Sequence, residues 1–231
     1  WPEEGVRASL ADAVGMMDRC GMEMACTSAS RYLRGDFRRG NQVTLSATQA
    51  YPGRFIGFVV ATPRCLEDSL AECELYLGHH GFKGIKVHRS HTQVAYDDAR
   101  YDPVYAMAQQ YGVPVLAHTF SLPEVQQLTA AARRHPQVQF IVGHSGGYAW
   151  ADCLSEIASA PNTYFDLCTS CADLGRVEAF VAAAGAERVL FGTDLPLLEP
   201  AHCLAQVLAA DISDHERELI LGGNILRILG L

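Results

Sequence analysis

The chain has 231 residues, 49% of them hydrophobic and 19% charged, with a formal net charge of −8. That composition belongs to a globular protein with a substantial core, and at this length one large domain over 1–231 is expected. The acidic balance argues against nucleic acid as a partner, since phosphates demand a basic face; the densest basic stretch, Arg31, Arg34, Arg38 and Arg39, is short and interrupted by Asp36.

No apolar run approaches the roughly 20 residues that span a bilayer, so no membrane partner is expected. The opening WPEEGVRASL is too polar for a signal peptide. Eight cysteines are scattered through the chain. They read as buried, reduced thiols of a cytoplasmic protein rather than a disulfide framework. The one close pair, Cys168 and Cys171, lacks the second pair that a zinc knuckle needs, but it follows a strand and so borders whatever site that strand feeds.

In chain order, helical stretches alternate with short apolar strands. Apolar residues at Leu10, Ala13, Val14 and Met17 predict a helix over 8–20, closed by Gly21. A strand is expected over 22–27. The stretch 31–53 is mixed, with a helix over 45–50. Strands over 55–61 and 84–88 flank a helix over 67–77. A helix over 103–111 has Pro in its first turn and Gly112 after its last. The strand 113–117 leads to the helix 123–134, stopped before Pro136. Strands over 140–143, 163–167 and 189–191 alternate with helices over 149–159 and 174–184, and helices over 201–209 and 214–229 end the chain. These are seven β-then-α units. Their strands are continuously apolar, as when a parallel sheet is covered on both faces, so the sheet is either doubly wound or closed into a barrel. No G-x-G-x-x-G follows the first strand, which disfavours a dinucleotide fold.

Three of these strands deliver a polar residue just past their apolar run: His118 after VPVLA, His144 after FIVG, and Asp194 after VLFGT. In an α/β barrel the strand C-termini share one face, where such folds do chemistry. Two imidazoles and a carboxylate converging there suit a divalent metal that lowers the pKa of water, with Asp194 able to take and return a proton. Lys86 and His88, two apart on one strand, point to one side. Lys86 is a candidate cation for a substrate carboxylate or a carbamylated metal ligand, though a packing role inside the barrel is the plainer reading. His79, His80, His91, His135, His202 and His215 read as surface or packing residues. Arg31, Arg34 and Arg89 lie in loops that could meet an anionic substrate. Gly143 to Gly147 also satisfies G-x-S-x-G, which raises a nucleophilic Ser145. Against it, no histidine at a later strand end supplies the expected base.

The segments GFKGIKVH (81–88), PVLAHT (114–119), FIVGHSGG (140–147), RVLFGTDLP (188–196) and LGGNILRILGL (221–231) together resemble the amidohydrolase superfamily, in the branch of aminocarboxymuconate semialdehyde decarboxylase and related metal-dependent hydrolases. The resemblance covers nearly the whole chain and implies a (β/α)8 TIM-type barrel. It implies a zinc-type metal, with manganese or iron as alternatives. His118 matches a metal ligand, Asp194 a ligand and proton carrier, and His144 a catalytic residue or further ligand. Lys86, His88 and Arg31 are the candidate substrate-binding residues.

The family also carries an H-x-H pair on its first strand, and this chain has no H-x-H. Either that strand lies upstream of Trp1, or the chain is a truncated barrel with exposed strand edges that invite a homodimer. The expected activity is metal-dependent hydrolysis of a small C–N, C–O or ester-type substrate. The alternatives are non-oxidative decarboxylation on the same scaffold and a truncated, non-catalytic barrel.

Overall fold

The computed structural model describes residues 9–169, 171 and 173–231, except for the side chain of Arg31. All seven expected strands form: β1 (Ala25–Thr27), β2 (Phe55–Val60), β3 (Gly84–His88), β4 (Val115–His118), β5 (Phe140–Gly143), β6 (Thr163–Asp166) and β7 (Val189–Leu190). Each pairs in parallel with the next in sequence, giving one sheet in the order β1 to β7. Cys26 of β1 and Leu190 of β7 line the same cavity, so the sheet curls as a (β/α) barrel does, with a seam between its two edge strands. The helices are α1 (Leu10–Arg19), α2 (Phe37–Ala50), α3 (Leu66–Gly78), the single turn α4 (Arg89–Thr92), α5 (Asp102–Tyr111), α6 (Leu122–Arg134), α7 (Trp150–Ser159), α8 (Arg176–Ala184), α9 (Pro200–Ala209), α10 (Asp214–Glu218) and α11 (Asn224–Leu229). No helix among the described residues is long and apolar enough to cross a membrane.

Alternate residues of each strand serve two cores, because successive side chains point to opposite faces. Val59, Ile85, Val87, Val115, Ala117, Phe140, Val142, Phe165 and Val189 pack outward with the helices. Phe58, Ile141, Tyr164 and Leu190 point inward, joined by Ile56 and Leu116. This two-sided burial explains the continuous apolar runs. The register then stacks the inner face in layers: Lys86 opposite Leu116 and Leu116 opposite Ile141, and one layer further toward the strand C-termini, His88 opposite His118 and His118 opposite Gly143.

Two elements differ from the sequence reading. Helix α2 starts at Phe37 rather than near Leu45, because Asp36 caps it by accepting from Arg39 N at 3.0 Å. Its polar residues concealed this; the buried Asn41 bonds both Val60 N (2.8 Å) and Val60 O (3.3 Å). The expected C-terminal helix over 214–229 is interrupted by a π-turn at Leu219–Gly223. That interruption covers the β7 edge. Ile220 O accepts from Phe191 N at 3.0 Å, and Asn224 Nδ2 donates to Val189 O (2.9 Å) and Ala186 O (2.7 Å). The β7 edge, which a truncated barrel was expected to expose, is thus capped by its own chain. Ile225, Ile228 and Leu229 of α11 complete the inner cluster.

Asn224 is fully buried, so Asn224→Ala strands two carbonyl groups. Urea unfolding is expected to show a loss of about 1–3 kcal/mol. An unchanged midpoint would show that the edge does not depend on this side chain.

Candidate active site

His118, His144 and Asp194 leave the C-terminal ends of β4, β5 and β7; His144 meets both of the others, while His118 stands outside the cavity that His144 and Asp194 line. His118 Nδ1 lies 3.1 Å from His144 Nε2. The ligand atoms of His144, Cys168 and Asp194 all lie within 4.8 Å of one another. His144, Asp194 and Cys168 line a cavity of about 960 Å³ with Lys86 and Asp166, walled by Ile56, Phe58, Leu116, Ile141 and Leu190.

The backbone at these strand ends is unusual. His144 (φ 65°), Ser145 (φ 49°) and Asp194 (φ 53°) occupy the left-handed region, which costs a non-glycine residue about 1–3 kcal/mol. Gly147 follows at φ 60° and ψ −126°, and a Cβ there would meet the Phe120 ring at 2.5 Å. The β5 end is held in place by Thr119, whose Oγ1 donates to Gly143 O (2.8 Å) and accepts from Gly146 N (3.0 Å).

Asp166 at the end of β6 organises the centre. Its carboxylate accepts from His144 N (3.1 Å) and Cys168 N (3.0 Å). The Cys168 carbonyl in turn accepts from His144 Nδ1 at 2.8 Å. A carbonyl can only accept, so Nδ1 of His144 carries a proton and Nε2 holds the lone pair. Beneath them Arg176, 1% exposed, donates to Leu167 O (3.2 Å) and His144 O (3.5 Å) and lies 4.9 Å from the Phe180 ring centroid.

A column of rings flanks this pair. His91 stacks on His88 (3.7 Å between centroids), His88 on His118 (3.9 Å), and His118 on Phe120 (5.4 Å). His91, read from the sequence as a surface or packing residue, packs here as the end ring of the column. Burial, reinforced by the neighbouring rings and Lys86, drives His88 far below its ordinary pKa. Burial and Lys86 bring His118 down to about 2. Burial also lowers His144, against the opposing pull of Asp166 and Asp194. Lys86 is lowered by burial despite Asp194, Asp166 and Cys168 nearby, while burial and the two carboxylates raise the Cys168 thiol well above its usual value.

The remaining sequence candidates fall as follows. Lys86 lines the cavity, and His88 sits one layer above it in the ring column. The Arg31 side chain lies outside the described residues. Arg89 pairs with Glu124 at 3.7 Å, and Arg34 is exposed. Ser145 is not placed as a nucleophile. Its fully buried Oγ donates to Asp166 O (3.0 Å) and accepts from Asp166 N (2.8 Å), tying the ends of β5 and β6. Of the eight cysteines, Cys26 and Cys65 are exposed, against the expectation that all are buried.

The curled parallel sheet and the polar cluster at its strand C-termini define an α/β-barrel enzyme scaffold. The amidohydrolase family profile matches residues 10–231, and the chain belongs to the amidohydrolase family. No curated relative matches it. Among solved structures it is similar to an uncharacterized Tim-barrel protein from Bordetella bronchiseptica (22% identity, 96% of this chain and 83% of that chain, TM-score 0.81). It is also similar to 4-oxalomesaconate hydratase from Rhodopseudomonas palustris (16%, 99% and 86%, 0.78). A third is the dihydroxybenzoic acid decarboxylase of Polaromonas sp. JS666 with bound manganese and the inhibitor 2-nitroresorcinol (20%, 94% and 85%, 0.75). At these identities the likeness is one of fold.

A divalent ion suits the donors here. The 3.1 Å contact is a hydrogen bond from His118 Nδ1 to the Nε2 lone pair of His144, and an ion taking that lone pair would replace it. The Asp194 carboxylate and the Cys168 sulfur lie within 4.8 Å of a His144 ring nitrogen and of each other, a group that does not include His118.

Ser145→Ala is expected to lower stability by about 1–2 kcal/mol and to leave turnover per folded molecule intact; a folded variant with no turnover would restore the nucleophile reading. The histidines generate a second prediction. A ring whose pKa falls on folding binds fewer protons folded than unfolded. Stability of the metal-free protein is therefore full above about pH 6.5 and declines below it, by up to about 1.4 kcal/mol per pH unit for each such ring. Urea midpoints at pH 7 and pH 5 test this, and equal midpoints would refute it.

Proposed function

We propose that the chain is a metal-dependent hydrolase that cleaves a C–N, C–O or ester-type bond in a small substrate bearing a carboxylate, acting as a single catalytic domain in the cytoplasm. The observation that supports this reading is that His144 and Asp194 line one cavity with the buried Lys86, and that His118 meets His144 at 3.1 Å. His118, His144 and Asp194 hold the ion, whose contribution when bound is Lewis acidity toward an oxygen of substrate or water. We favour zinc, with manganese, the metal of the Polaromonas decarboxylase, as the alternative.

Asp194 removes a proton from the attacking water and returns it to the leaving group. His144, oriented by the Cys168 carbonyl, keeps Nε2 facing the reaction centre. Lys86 pairs with the substrate carboxylate, and the apolar wall keeps bulk water from the reacting bond. His88 and the ring column hold His118 in place, and Arg31 is a further candidate for the substrate's anionic end.

Non-oxidative decarboxylation is the second reading. It is favoured by the decarboxylase among the similar structures and by the apolar wall, which suits a carboxylate that loses its charge as carbon dioxide leaves. Asp194 or His144 would then supply the proton to carbon.

Metal analysis of protein purified without chelator comes first. Stoichiometric metal supports an enzyme, and none retained after incubation with zinc would favour a non-catalytic barrel. The loaded protein is then offered esters, amides and hydroxybenzoates, with acid release and carbon dioxide release followed separately. Asp194→Asn is expected to cut turnover by about 10²- to 10⁴-fold while the circular dichroism spectrum is kept. Undiminished turnover in that variant would sink the mechanism.

A further inference from the structure

We propose that Cys168 is a thiolate ligand of the ion held by His144 and Asp194, so that the centre is a mixed nitrogen–oxygen–sulfur site. The proposal rests on the metal-dependent reading above and goes beyond it by naming a ligand of a different chemical kind. Cys168 leaves the end of β6, and its sulfur is one of the three ligand atoms that lie within 4.8 Å of one another. The residue is 6% exposed. Its backbone is fixed at both polar groups: N–H on Asp166 Oδ1 (3.0 Å) and C=O on His144 Nδ1 (2.8 Å). The side chain is therefore presented from a rigid frame, and its sulfur makes no hydrogen bond among the described residues.

The packing around it is built close. Gly192, two residues before Asp194, faces Cys168 and Asp166. A Cβ there would overlap Asp166 Oδ1 and stand 2.8 Å from Cys168 Cβ. Only a bare backbone lets the Asp194 loop approach the thiol this nearly.

Lys86 is an independent indication that something is held here. It is 8% exposed, lines the same cavity, and makes no hydrogen bond or ion pair among the described residues, while Asp194, Asp166 and Cys168 are its electrostatic neighbours. Buried charge must be compensated. The buried Arg176 faces Asp166, and Asp194 with a Cys168 thiolate would balance a divalent ion, which leaves Lys86 for a substrate carboxylate. With a neutral thiol the ion, Asp194 and Cys168 would together hold one uncompensated positive charge. As the sulfur binds, the S–H bond breaks, its electron pair forms the bond to the ion, and the proton leaves to solvent. A soft sulfur donor biases the site toward zinc or cobalt over magnesium or calcium.

The test uses the full chain, stripped of metal and titrated anaerobically with cobalt(II). A sulfur-to-cobalt charge-transfer band in the near ultraviolet, saturating at one equivalent, is expected. It should vanish in Cys168→Ser and persist in Cys171→Ser and in Cys26→Ser. Visible cobalt bands without the near-ultraviolet band, or a band that survives Cys168→Ser, would overturn the thiolate ligand while leaving a metal enzyme standing. Failure to bind one equivalent of cobalt would overturn both readings. Should Cys168→Ser not fold, X-ray absorption of the zinc-loaded native chain decides: a sulfur scatterer at about 2.3 Å supports the proposal, and a shell of nitrogen and oxygen alone refutes it.

Discussion

The active end of this molecule depends on one buried carboxylate. Asp166 accepts two backbone N–H groups, from His144 and from Cys168, and so joins the ends of β5 and β6 at the points where both strands turn into loops. Its own main chain is locked to Ser145 by a reciprocal pair of hydrogen bonds. With these in place, the left-handed backbone at His144 and Ser145 is over-determined, which is how locally unfavourable geometry persists in a folded protein. The imidazole of His144 then has one orientation and one tautomer, and His118 meets it at 3.1 Å.

Around that anchor the barrel divides its labour by parity. Odd and even residues of each strand face different cores. The inner face is apolar until the last layers, where Lys86, His88 and His118 replace leucine and isoleucine. Desolvation is then the leading influence on the rings, holding His118 near 2 and His88 lower still. Imidazoles kept neutral are donors with a free lone pair, which is the state that metal binding and proton acceptance both require.

Much of this was legible in the sequence. The seven strands announced themselves because apolar runs bounded by glycine and proline follow from burial on both faces. His118, His144 and Asp194 stood out as polar residues terminating such runs. Asp166 did not, being the last letter of TYFD with nothing to show that its oxygens serve neighbouring backbone. Cys168 was placed at the border of a site as half of a close cysteine pair, but nothing in the pair's spacing gave it a ligand's role. Arg176 was not singled out within the helix expected over 174–184, since no pattern in sequence separates an arginine buried against carbonyl groups and a phenyl ring from one in water. Helix α2 was shortened in the reading because its buried face contains Asn41 and Thr44, polar residues that tertiary hydrogen bonds satisfy and that periodicity counts as exposed.

The π-turn at Leu219–Gly223 reaches beyond local geometry. An α-helix keeps its carbonyls for itself; by widening one turn, this one releases Ile220 O to the main chain of Phe191. The last dozen residues thereby act as a built-in blocker of strand addition, doing with a helix what other sheets do with lysines, prolines or bulges. A tag or fusion appended after Leu231 leaves that blocker intact. A cut made before Leu219 would turn β7 into a template on which a second molecule can grow, and loss of function in such a fragment would report self-association as readily as a damaged site.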